Sequence, residues 1–150
     1  VGKIYIPVTG SPEGRKAYKK ALSFAKDHNF DVVFIAVMNV ELVNKLARYK
    51  VFIDEEVTLY QSTMEKDIEK YLNFMEKEAA SIGVNSSHVV LKGEPYHEIL
   101  NYIRKDDEAH KVVFIPKKLG GEYLKDVFST IERKLLLHAE FDILVIGEEL

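Results

Sequence analysis

Residues 111–147 read KVVFIPKKLGGEYLKDVFSTIERKLLLHAEFDILVIG. An apolar run, Val112 to Ile115, stops at Pro116. A loop with lysines and glycines follows (Lys117, Lys118, Gly120, Gly121). Ser129 and Thr130 then open a helical pattern carrying Val127, Ile131, Leu135 and His138, and Ile143 to Ile146 form a second apolar run. Strand, polar loop, helix and strand in this order place a phosphate-sized pocket at the carboxyl end of a strand.

The same grammar extends backward through the chain. Lys3 to Val8 reads as a short strand, and Thr9 to Glu13 as a turn. Ser11 suits a helix N-cap and Pro12 a first helical residue. Ala17, Ala21, Phe24, Ala25 and His28 recur at helical spacing until Asn29. Val32 to Val37 is continuously apolar, as a strand covered on both faces requires. Val89 to Leu91 is a shorter case. A long helix is marked by Met64, Ile68, Tyr71, Leu72, Met75, Ala79 and Ile82 and stopped by Gly83; a third begins at Glu94-Pro95 with Ile99, Leu100 and Ile103 inward. Five strands alternating with helices predict a single-domain, doubly wound α/β fold with an open parallel sheet.

Between Asn39 and Ser62 lie about two dozen residues, more than a short βα loop needs. Glu41 to Tyr49 suits a short helix. Lys50 to Tyr60 is open to three readings: a lid, a dimer arm, or part of the long helix. A mobile flap is the favoured expectation.

Composition narrows the function. The chain has 150 residues, 47% hydrophobic and 30% charged, with no cysteine and a net charge of −3. Disulfides and thiolate chemistry are excluded, and a cytoplasmic setting is expected. The charge balance gives no strong nucleic-acid signal. Arg15, Lys16, Lys19 and Lys20 cluster around Tyr18, which reads as a solvated helix surface. No apolar run is long enough for a membrane span. The five histidines show no metal-ligand spacing. No G-x-S-x-G, Walker A or G-x-G-x-x-G pattern occurs. Asp54-Glu55-Glu56 and Asp106-Asp107-Glu108 read as solvated charge runs. No catalytic residue and no metal site is expected.

Several segments together resemble the universal stress protein family. KIYIPVTGSPEGRKAYKKALSFAK is similar to its first strand, turn and helix. LKGEPYHEILNYI resembles its third strand, Gly-x-Pro turn and third helix. KVVFIPKK and STIERKLLLHAEFDILVIG resemble its fourth strand, last helix and last strand. The resemblance implies an adenine nucleotide alpha hydrolase-like sheet of strand order 3-2-1-4-5. It also implies a homodimer through the last strand.

Many members of that family bind ATP. Their signature is Gly, two residues, Gly, nine residues, then Gly with Ser or Thr, following the fourth strand. Laid on this chain, the glycines fall on Pro116, Leu119 and Ser129, and Thr130 keeps the hydroxyl. Thr9 stands where the family has an Asp. Glycines let a backbone approach phosphate oxygens, whereas proline has no N–H to give. The leading expectation is a non-enzymatic regulatory or interaction module with a degenerate ATP site and no cofactor. The alternative is an ATP- or AMP-binding stress-response protein with a rearranged loop. Lys117, Lys118, Gly120, Gly121, Ser129 and Thr130 would surround the phosphates, with Val8 and Pro116 beside them, Val37 at the base and Thr9 at the sugar or base. A third reading is a sensor domain of a larger protein such as a transporter, with a protein partner or a fused domain; the start at Val1 without methionine keeps that reading open.

Overall fold

The computed structural model describes residues 2–8, 14–38, 44–45, 48–49, 53–117 and 141–147. Five strands form one all-parallel sheet: β1 Lys3–Pro7, β2 Asp31–Met38, β3 Ser86–Lys92, β4 Lys111–Lys117 and β5 Asp142–Gly147. Their order is β3-β2-β1-β4-β5, as expected. Three helices are described: α1 Gly14–His28, α2 Asp54–Ser81 and α3 Pro95–Lys105. The expected last helix, with Ser129 and Thr130, lies outside the described residues, as do Ser11 and Pro12.

The central strands have no polar alternation because both faces are covered. Ile4, Ile6, Val32, Phe34, Val112 and Phe114 pack against Tyr18, Ala21, Leu22 and Ala25 of α1 and against Leu72, Met75 and Ala79 of α2. Tyr5, Val33, Ile35, Val113 and Ile115 turn the other way, onto Ile99 and Ile103 of α3. Tyr18 is therefore a core residue, with its ring 5.8 Å from that of Phe114. Lys19 beside it is exposed, as the solvated reading of the basic cluster expects. His28, placed on the inward face by spacing, is exposed and lies tilted against Phe24 at the helix end.

α2 begins at Asp54, so Asp54 to Tyr60 is helix and not a flap. The acidic run explains the early start, because three carboxylates in the first turn face the positive end of the helix dipole. Farther back, Asn44, Lys45 and Arg48 are helical, and Tyr49 N–H donates to the Lys45 carbonyl at 3.1 Å.

α3 starts as its sequence requires. The Glu94 carboxylate accepts the His97 N–H at 2.8 Å, with Pro95 at the first helical position. The turn before it needs glycine. Gly93 has φ +140°, and a Cβ there would lie 2.8 Å from a Glu98 carboxylate oxygen. Gly93 N–H donates to the Met38 carbonyl at 3.1 Å, which ties the end of β3 to the end of β2.

Candidate functional site at the carboxyl edge of the sheet

After β1 the chain winds outward through β2 and β3, then returns to the far side of β1 as β4. The carboxyl ends of β1 and β4 are thus the topological switch point, where open α/β sheets bind ligands. Val8 follows β1, and its N–H donates to the Ile35 carbonyl of β2 at 2.7 Å. Val37 lies two residues farther along β2. The two valines share this edge but sit on opposite faces, Val8 with the α1–α2 core and Val37 with the α3 core. Pro116 and Lys117 end β4, in register with Ile146 and Gly147 of β5. Thr9, Lys118, Gly120, Gly121, Ser129 and Thr130 lie outside the described residues.

The β4 run does not stop at Pro116; the strand continues to Lys117. Backbone alternation explains why. In a strand, the N–H and C=O of one residue face the same neighbour, and successive residues alternate. Lys3 N–H donates toward β4, to the His110 carbonyl at 3.0 Å, and Val8 N–H donates toward β2. Odd residues of β1 therefore face β4, and Pro7 is odd. The register Lys3 with Lys111 turns the even residues of β4 toward β1, Pro116 among them. The odd residues of β4 bond to β5, so a proline at 116 leaves that ladder whole.

The β1–β4 ladder is another matter. Its next donor after Phe114 would be the nitrogen of Pro7, and the one after that the nitrogen of Pro116. Neither has a hydrogen. The pairing of β1 with β4 ends at Tyr5 and Val113, while β1 pairs with β2 as far as Pro7 and β4 pairs with β5 as far as Lys117. Two prolines on facing sides thus unzip the seam at the switch point. They remove two backbone donors from the place where an anion would seek them.

Among the described residues, the shifted titrating groups lie elsewhere. Tyr5, fully buried, donates its hydroxyl to Asp106 at 2.5 Å, and the Lys3 ammonium donates to the same carboxylate oxygen at 3.1 Å. Burial pushes the Tyr5 hydroxyl far up, and the hydrogen bond to Asp106 adds to it. Burial would also raise Asp106, but the Tyr5 hydroxyl and the Lys3 ammonium outweigh it and hold the carboxyl below its usual range. The contact with Asp106 raises Lys3. This cluster sits at the amino edge, where α3 ends and β4 begins. It ties the start of β1 to the end of α3. The charge-run reading had missed Asp106, because its partners lie about a hundred residues away in sequence.

His88 is a second group the sequence concealed. Both its ring nitrogens meet carboxylates of α2, Glu76 at 2.9 Å and Glu69 at 2.8 Å. A groove of about 360 Å³ between α1 and the end of α2 is lined by Lys19, Leu22, Ser23, Glu78, Ser81 and Ile82. It lies in the helical layer and not at the switch point. Among the described residues no group of His, Asp or Glu could hold a metal, and no helix is long and apolar enough to cross a membrane.

Solved structures share this fold. The chain is similar in structure to universal stress protein UspA from Lactobacillus plantarum, with a TM-score of 0.76 at 15% identity over 96% of each chain. It is also similar to the universal stress protein from Archaeoglobus fulgidus in complex with dAMP, with a TM-score of 0.61 at 14% identity over 97% of each chain. A universal stress protein family protein from Arabidopsis thaliana with AMP bound gives 0.61 at 16% identity, over 99% of this chain and 93% of that one. No curated protein matches the sequence. The model of the universal stress protein family matches residues 1–147, and the chain belongs to that family.

Proposed function

We propose that this chain is a non-enzymatic regulatory or interaction module whose nucleotide crevice has lost its grip on a triphosphate. The facing pair Pro7 and Pro116 carries this reading. Phosphate loops work through backbone N–H groups, and the strand ends that should supply them hold imino nitrogens. Leu119 and Ser129, at the other two glycine positions of the family signature, support the same reading.

The test is a thermal-shift titration with ATP and Mg²⁺. A ligand at a hundred times its Kd stabilises the native state by about 2.7 kcal/mol, or roughly 5–10 °C for a chain of this size. No shift at millimolar ATP is the expected result. A shift of that size overturns the proposal and favours the alternative of a rearranged loop, in which Lys117, Lys118, Gly120, Gly121, Ser129 and Thr130 hold the phosphates. The AMP and dAMP in the related structures speak for that alternative. A shift with AMP alone would mean that the nucleoside end of the site survives and only the triphosphate cradle is lost.

The module would act as a homodimer through β5. That strand is the sheet's outer edge, and by alternation the N–H groups of Ile143 and Val145 face away from β4. From Ile143 to Ile146 the edge carries neither a charge nor a proline, the devices that usually block edge pairing. Val145 is exposed at 41%. Val145→Pro removes an outward donor and spares the β4 ladder. Light scattering should find a dimer for the parent and a monomer for the variant; a monomeric parent at high concentration removes the idea.

A further inference from the structure

The carboxylates of Glu69 and Glu76 lie seven residues apart on α2, two turns along one face. The His88 ring stands between them, rising from β3, the outer strand on this side of the sheet. Its Nδ1 is 2.9 Å from Glu76 Oε1, and its Nε2 is 2.8 Å from Glu69 Oε2. The His88 side chain is 18% exposed. We propose that His88 is a proton-operated latch: its imidazolium locks the middle of α2 onto β3, and loss of one proton releases that stretch of helix.

The geometry demands the charged form. A carboxylate oxygen only accepts, so each ring nitrogen must donate. A neutral imidazole has one N–H. Its other nitrogen would point a lone pair at a carboxylate at hydrogen-bond distance. No rotation of the ring relieves this, because both sides are occupied by acids.

The surroundings isolate the pair. On β2 the register partner of His88 is Phe34, with Val32 and Ala36 before and after it on the same face, all uncharged. On β3 the next charge along the face is Lys92, which pairs with Glu65 of α2 at 3.6 Å. Among the described residues, then, Glu69 and Glu76 are the charged groups facing the ring. Burial works against the imidazolium, and the two carboxylates outweigh it, so the ring titrates above the usual 6.5. The sign follows. A raised folded value gives stability that is complete below the unfolded value near 6.5 and lost as the pH rises through the folded value. Ala79, beyond that stretch, and Ala21, Leu22 and Ala25 of α1 stay packed on the sheet throughout. The release is therefore a local opening and not a global unfolding.

Two measurements on the full chain decide it. The first is the NMR titration of the His88 ring. A midpoint above 6.5 supports the latch, and a midpoint at or below 6.5 overturns it. The second is amide hydrogen exchange, corrected for intrinsic rates, with α3 as the internal reference. Protection between Ile68 and Met75 should fall by about tenfold for each pH unit separating the folded and open midpoints, while α3 holds steady. In His88→Gln the same stretch should be less protected in acid and flat with pH. An unchanged pH profile in that variant overturns the latch. Should the variant fail to fold, the ring titration of the parent stands as the deciding result.

Discussion

The two edges of this sheet are built on opposite rules. At the amino edge several polar groups meet one another. Tyr5 and Lys3 converge on Asp106, and Lys3 N–H reaches the His110 carbonyl. The Lys111 ammonium donates to the Ile103 carbonyl at 2.6 Å at the end of α3, and a His110 ring nitrogen lies 3.1 Å from an Asp142 carboxylate oxygen. At the carboxyl edge two prolines withhold the donors that would have continued the central ladder. One end of the sheet is fastened by side chains, and the other is kept open by what its backbone lacks. A ligand or partner that does not need N–H donors can still use the open end. On the proposed reading, a triphosphate finds little there to hold it.

Substitutions can break or sharpen this contrast. The largest effect should come from Asp106→Ala, which leaves a buried hydroxyl and a half-buried ammonium without their acceptor. A cost of about 2–3 kcal/mol in urea unfolding is expected. Tyr5→Phe removes one donor and keeps the ring, so about 1–2 kcal/mol is expected from the same measurement.

The Asp106 carboxyl also sets a pH window. Its folded pKa is depressed, so its contribution is present above the unfolded value near 3.8 and lost as the pH falls through the lower folded value. Melting curves in acid should show that loss in the parent and a flatter profile in Asp106→Asn.

At the other edge Pro7→Ala should move stability by less than about 1 kcal/mol. A regained ladder bond offsets the added freedom of the unfolded chain. If Pro7→Ala costs as much as Asp106→Ala, the contrast between the edges is wrong. The largest change in binding belongs to the triple variant Pro116→Gly, Leu119→Gly, Ser129→Gly. It should gain an ATP-dependent thermal shift that the parent lacks. A triple variant still indifferent to ATP would place the defect outside the glycine positions.

The fold was legible because burial on both faces forces uninterrupted apolar runs, and Val32–Val37 and Val112–Ile115 could serve no other purpose in a chain of this length. The inward faces of α2 and α3 were legible for the same reason, since Leu72, Met75, Ile99 and Ile103 recur at helical spacing. Tyr18 is core although its neighbours in sequence are basic, because a helix assigns neighbours to different faces. Asp54 to Tyr60 was misread because its mixture of acids, β-branched and aromatic residues fits several local states, and position at a helix start is what makes the acids favourable. The pairs His88 with Glu69 and Glu76, and Asp106 with Tyr5 and Lys3, leave no local pattern at all. They exist only once distant segments are folded together. The proposed site is legible only by placement: the family signature points to the end of β4, where Pro116 stands. That Pro7 faces the same seam needed the register.

The short central ladder also has a mechanical meaning. β1 and β4 pair over three register positions, against five, seven and six across the other strand boundaries. The sheet is in effect two leaves, one of three strands and one of two, joined by a spine that runs only part of their height. Twisting between the leaves will concentrate at that spine, and a load applied across it has a preferred tear line already drawn.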